Sequence, residues 1–176
     1  MKRAALICLM LCAANIAHAQ TPAPAATAKT NTVLGNHNTN QPINIDADKV
    51  TADLANKSVL YTGNVVVTQG DIKMHADTMK VNTVDGKAAQ NIQANGHVVV
   101  DSPASGTATS DAGVYDVPNH QITLTGRKVT LVHNKDISSG TKLTVNLVTN
   151  IATFVSDKAQ GGNGRVTGTF TPGSGN

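Results

Sequence analysis

Polar and apolar residues alternate along most of the chain from Pro42 onward. Ile43 and Ile45 alternate with Asn44 and Asp46, and Val65 and Val67 with Asn64, Val66 and Thr68. Ile72, Met74 and Ala76 alternate with Asp71, Lys73, His75 and Asp77, and Met79 and Val81 with Thr78, Lys80 and Asn82. A period of two puts one set on one face of a strand and the other set opposite. The many Val, Thr and Ile residues support strands, and no long stretch keeps the apolar stripe of a helix. Turn residues break the pattern at Asn56-Lys57, Gln69-Gly70, Asp85-Gly86, Pro118-Asn119, Asn134-Lys135-Asp136 and Thr149-Asn150. Asp-Gly suits a tight turn because it tolerates positive φ. The pattern predicts an all-β domain built from strands of about five to seven residues.

These strands repeat. An Asp followed by two same-face residues recurs as Asp48 before Val50 and Ala52, Asp77 before Met79 and Val81, and Asp111 before Gly113 and Tyr115. Thr141 takes the Asp place before Leu143 and Val145, and the spacings are 29, 34 and 30. Between them come strands led by glycine: Gly63 before Val65 and Val67, and Gly96 before Val98 and Val100. Gly126 leads a third, but Val129 and Leu131 lie one residue out of phase, which a bulge would repair. The chain thus reads as four imperfect units of about thirty residues, the fourth degenerate. One unit alone cannot bury its apolar face, whereas stacked units can. The expected body is a β-solenoid or a twisted, V-shaped jelly roll.

The inward set is Ile43, Ile45, Val65, Val67, Ile72, Met74, Met79, Val81, Ile92, Val98, Val100, Ile122, Leu124, Val129, Leu131, Leu143, Val145, Leu147 and Phe154. The chain has two Tyr, two Phe and no Trp. Aromatics are the usual stacking platforms for sugars and bases, so their scarcity argues against an oligosaccharide cleft or a single-stranded nucleic-acid groove. A slot of Val, Ile, Leu and Met suits flexible acyl chains. Each methylene buried contributes about 0.8 kcal/mol. The same stripe is also what an ordinary sealed core would show.

The first residues are of another kind. Met1-Lys2-Arg3 is basic, Ala4 to Ala17 is an apolar run of signal-peptide length, and Ala17-His18-Ala19 is an A-x-A cleavage site. Residues 1–19 are therefore expected to be removed, leaving Gln20 first in an exported envelope protein. Both cysteines, Cys8 and Cys12, fall in that segment, so the exported part carries no disulfide. It keeps twelve Lys and Arg against eleven Asp, with no Glu, a balance that gives no electrostatic reason to bind nucleic acid. Residues 20–41, rich in Ala, Pro, Thr and then Asn, read as a flexible leader. The folded domain is expected over residues 42–172, with a tail at 173–176.

In order along the chain, QPINIDADKV (Gln41 to Val50), YTGNVVVTQGDIKMHADTMKV (Tyr61 to Val81), LTGRKVTL (Leu124 to Leu131), SGTKLTVNL (Ser139 to Leu147) and GRVTGTFTP (Gly164 to Pro172) resemble the LptA/OstA-type periplasmic lipopolysaccharide-transport family. The resemblance implies an antiparallel β-jelly roll, open at both ends, that carries lipid A acyl chains along a hydrophobic groove and catalyses nothing. It implies as partners the OstA-like domains of an inner-membrane export complex and an outer-membrane translocon, with copies joined head to tail. Thr39 and Ile43 match the groove mouth, and Ile45, Val65, Val67, Ile72 and Met74 match lining strands. The further inward residues Met79, Val81, Val98, Val100, Leu124, Leu131, Leu143 and Val145 are taken to extend that lining. Ile43 and Ile45 at one edge, and Val166, Thr167, Thr169 and Phe170 at the other, would meet partner strands. Exposed edges invite such pairing, and Pro42 and Pro172 bracket them. Two departures stand out. The segment Asn82 to Ser102 is shorter than in better-known members, and Gly161 to Asn176 is Gly-rich rather than lysine-rich.

Catalytic and metal constellations are not evident. His37, His75, His97, His120 and His133 are scattered, although His75 and Asp77 share a strand face, as do Asp46 and Asp48. Gly161-Gly162-Asn163-Gly164 lacks the lysine of a phosphate loop, and Ser105, Ser110, Ser138 and Ser139 lack a nucleophile elbow. No cofactor is implied. Lys73, Lys80, Arg127 and Lys128 are candidates to touch lipid phosphates at a groove rim. A structural β-scaffold of the envelope, with its stripe as core, is the competing reading.

Overall fold

The computed structural model describes residues 40–84, 88–103, 106–149, 151–161 and 163–171. The predicted signal segment, nearly all of the leader, Thr39, the Asp85-Gly86 turn and the tail lie outside the described residues. The strands are β1 (Asn44–Asp46), β2 (Lys49–Asp53), β3 (Ser58–Gln69), β4 (Ile72–Val84), β5 (Ala88–Ser102), β6 (Gly106–Asp116), β7 (Gln121–His133), β8 (Asp136–Asn146), β9 (Ile151–Val155) and β10 (Thr167–Thr169). All pairings are antiparallel, in the order β1-β3-β4-β5-β6-β7-β8-β10. β2 joins β1 on one side of β3, and β9 joins β10 on one side of β8. The result is a jelly roll made from one meandering, unclosed sheet. The four sequence units are its hairpins: β1/β2 with β3, β4 with β5, β6 with β7, and β8 with β9/β10.

The expected strand length was too short. β3 to β8 run 11 to 15 residues each. Each is a pair of half-strands joined through a bend, and the buried phase slips there. Ile72, Met74 and Ala76 are buried on β4, then Met79 and Val81. An apparent strand end in the sequence is a corner in the sheet.

The repeated Asp and Gly residues build that corner. Between the pairs Thr62–Thr78 and Val65–Ala76, β3 uses one residue more than β4. The extra residue falls at Gly63-Asn64, both at positive φ (81° and 47°). β5 repeats this at Gly96-His97 (77° and 47°). A glycine in left-handed conformation opening a bulge is a standard way to bend and twist a strand. Across each bulge the Asp of the neighbouring strand supplies an acceptor. Asn64 Nδ2 donates to Asp48 Oδ2 (2.8 Å), His97 Nδ1 bonds Asp77 Oδ2 (2.8 Å), and the Arg127 amide donates to Asp111 Oδ2 (2.9 Å). A Cβ on Gly63 or Gly96 would strike the carboxylate of Asp48 or Asp77, and one on Gly126 would lie 2.8 Å from Asp111 Oδ2. At the third corner β7 uses two residues more than β6 between Ala112–Thr125 and Thr109–Thr130. That wider bulge absorbs the one-residue phase slip of Val129. In the fourth unit Thr141 replaces Asp, and its Oγ1 accepts from the Asp157 amide (2.8 Å).

The turns also repeat. Asp53 accepts from the backbone and side chain of Asn56, and Asp116 does the same for Asn119. These bonds hold the Asp53 carboxyl below its ordinary range. Lys57 and His120 follow at positive φ, and their carbonyls accept from the amides of Thr83 and Leu147.

The corner divides the sheet into two walls. One holds β1, β10 and the halves of β3 to β8 containing Val67, Met74, Val100, Ala108 and Leu131; the other holds β2, β9 and the halves containing Tyr61, Met79, Ile92, Tyr115, Leu124 and Leu143. Their apolar faces meet as one buried cluster. Replacing Gly96 by Ala is expected to cost about 2 kcal/mol or more, from left-handed strain plus the clash with Asp77. Urea titration should show that cost falling by about 1 kcal/mol in an Asp77→Ala background. Equal costs in both backgrounds would mean the Asp over the glycine is not a structural contact.

Candidate functional site

The space between the walls is the candidate site. Period-two alternation sends Val65, Val67, Ile72, Met74, Val98 and Val100 inward from the first wall, and Met79, Val81, Leu124, Leu143 and Val145 inward from the second; all are buried. Leu131, Ile43 and Ile45 are partly buried against the same cluster. Ile45 pairs with Val67, so β1 extends the inner face to the edge. The structure thus brings together every described residue expected in the lining. Ile92, Ile122, Val129 and Leu147 join it, as the inward set predicted, and Phe154 packs against it partly buried.

Apolar side chains come to the surface at both edges. Val50, paired with inward Tyr61, is 59% exposed. At the other edge Ala152 and Phe154 face inward and are only partly buried, and Val166 and Phe170 are exposed, Phe170 at 73%. Its ring lies close to Gly168 of β10. Every residue of β2 and of β10 is exposed. The apolar interior therefore runs from one edge of the sheet to the other, and among the described residues no further strand pairs with the outer sides of the edge strands.

One polar feature of the interior was not singled out from the sequence. Tyr115 donates its hydroxyl to Gln69 Oε1 (3.1 Å), and both residues are 6% exposed. Gln69 Nε2 in turn donates to the carbonyl of Gln41 (3.0 Å). Gln69 closes β3 at the tip of the first wall and Tyr115 lies near the tip of the second, so the bond ties the two lips together. Beside it a void of about 20 Å³, room for about one water, is lined by Val67, Ile72, Met74, Ile122 and Leu147 with the pair itself. The inward set holds neither: the sequence reading puts Tyr115 on the face of Gly113 but takes Gln69 as part of the Gln69-Gly70 turn. It lacks the contact across the walls as well.

The remaining candidates lie outside the groove. Lys73, Lys80, Arg127 and Lys128 are exposed. Arg127 and Lys128 line, with Arg165, a polar cleft of about 290 Å³ near the β8–β10 corner. Asp77 is engaged by His97 of the neighbouring strand, which the extra residue of the β5 bulge sets across from it. Asp48 is engaged by Asn64 rather than by Asp46. Ser110 donates to the Ala112 carbonyl, and Ser139 bonds Thr167. Among the described residues no three His, Cys, Asp or Glu side chains gather as a metal site.

Burial raises the Tyr115 hydroxyl above the ordinary tyrosine value of 10.0. A folded-state value above the unfolded one means stability that is complete below pH 10 and is lost as pH rises through the folded value. Chemical denaturation between pH 9 and 12 should show a steeper alkaline loss for the native sequence than for Tyr115→Phe. Parallel curves would mean the phenol is not buried in solution.

A family model described as "LptA/(LptD N-terminal domain) LPS transport protein" matches residues 44–151. An uncharacterized protein of Rhizobium meliloti (strain 1021) is 32% identical over 117 residues, 62% of each chain. The lipopolysaccharide export system protein LptA of Escherichia coli (strain K12) is 41% identical over 54 residues, 31% of this chain and 29% of that protein. The alignments thus span less than two thirds of either relative. Among solved structures, LptH of Pseudomonas aeruginosa, described as the LptA-homologous periplasmic component of the lipopolysaccharide transport device, has the same fold. The TM-score is 0.64 at 19% identity, covering 75% of this chain and 96% of that one. With most of the described sheet inside the matched span, the chain belongs to the LptA/LptD N-terminal domain family of lipopolysaccharide transport proteins.

Proposed function

We propose that this protein is a non-catalytic periplasmic carrier. It holds the lipid A acyl chains of lipopolysaccharide between its walls and hands the molecule from an inner-membrane export complex toward an outer-membrane translocon. The observation that carries this reading is the unbroken apolar interior reaching exposed edges at both ends, in a chain of this family. Acyl chains need a long apolar surface and few directional contacts, which the Val, Ile, Leu and Met lining offers. The edges supply the hand-off. β1 and β2 at one end, and β9 and β10 at the other, offer strands to an OstA-like domain of a partner or to a second copy.

A scaffold reading has one observation in its favour. Val65, Met79, Val98 and Val129 are fully buried here, as residues of a sealed core would be. The two readings part on whether the walls separate to admit lipid.

Photo-crosslinking in cells, with the probe at Val67 and a control at outward Lys73, distinguishes them. A lipopolysaccharide adduct at Val67 and little at Lys73 is expected. No adduct from a folded, exported protein that also fails to bind purified lipopolysaccharide would overturn the carrier reading. For the edges, Gly168→Pro removes the backbone donor of β10 that alternation turns away from β8. It is expected to weaken pairing with a second copy or a partner domain in a pull-down, while leaving lipopolysaccharide binding intact. Undiminished pairing would rule out β10 as the docking edge.

A further inference from the structure

The Gln69–Tyr115 bond is a polar contact set within an apolar slot. It joins β3 to β6, strands separated in the sheet by β4 and β5, so it closes the space between the walls and is no part of the sheet's own ladder. Any chain lying between the lips at this depth must part the two groups. Both stay where Val67, Ile72, Met74 and Ile122 line the space, and an unpaired buried donor and acceptor are costly. An unsubstituted alkyl chain brings nothing to replace the lost bond. A hydroxyl does, because it accepts and donates at once. Inserted between the partners, it accepts from the Tyr115 O–H and donates to Gln69 Oε1. A carbonyl satisfies only Tyr115. The second amide function of Gln69, bonded to the Gln41 carbonyl, keeps the side chain oriented with Oε1 toward the slot.

Resting on the carrier reading, we propose that Gln69 and Tyr115 form a selectivity site that favours acyl chains bearing a hydroxyl over plain chains of equal length. The pair acts as a clasp in the empty groove and as a hydroxyl receptor in the filled one.

The test uses the purified full chain and displacement of a fluorescent fatty acid by two competitors: a long-chain fatty acid with no substituent, and the same chain hydroxylated at one carbon whose position is varied. The native protein should prefer a hydroxylated chain by about tenfold at the best position. Tyr115→Phe, which keeps the ring and removes only the hydroxyl, should bring that ratio close to unity while plain-chain binding holds or improves. Gln69→Leu should do the same, and the Tyr115→Phe result stands should Gln69→Leu fold poorly. Equal affinities in the native protein, or a preference that survives in Tyr115→Phe, would overturn this assignment and leave the groove intact. Failure of both competitors to bind the native protein would overturn the groove reading and the clasp with it.

Discussion

The fold depends on bending every long strand at the same level without losing the hydrogen-bond ladder. A flat sheet of these strands would leave its apolar face in water; bending at one line turns that face on itself. The bend is made by a row in which Asp and Gly alternate from strand to strand: Asp48, Gly63, Asp77, Gly96, Asp111, Gly126 and then Thr141. Glycine is required where the neighbouring carboxylate fills the place of a Cβ, and at Gly63 and Gly96 also where φ is positive. The carboxylate answers polar groups that the bulge turns outward. The His97–Asp77 pair is solvated, at 90% and 59% side-chain exposure, so its worth lies in geometry more than in charge.

Much of this was legible in the chain. Alternation gave the inner face, and the Asp and Gly phasing gave the four units. Val129, one residue late after Gly126, announced a bulge of different width. Strand continuity was not legible, because a bulge interrupts period two in the same manner as a strand end does. The partner of Asp77 was not legible for a related reason. His75 is its neighbour in sequence and on the strand face, but the extra residue in β5 carries His97 to it. The Gln69–Tyr115 contact, 46 residues apart, belongs to how the two walls close, which no local pattern encodes.

The interior joins two requirements that pull against each other. Close packing of Val65, Met79, Val98 and Val129 holds the walls together, whereas a carrier needs them separable. Residues of the long strands such as Val65 and Val129 are buried completely, while those on or beside the edge strands, such as Ile43, Ile45 and Phe154, are only partly covered. Burial thus grades from the long strands to the edge strands. The buried clasp at the lips adds a directional contact where dispersion alone would let the walls drift.

The sheet also has a parity. Counting β1 with β2, and β9 with β10, as single lanes, eight lanes run alternately up and down. An even number means the first and last lanes point in opposite directions. A second copy set beside the last lane in the same orientation therefore continues the alternation, and its Asp48 corner falls where the sequence of corners requires an Asp. An odd count would have forced each added copy to invert or to pair in parallel. The polarity of any array built from this chain is thus written in the number of its hairpins.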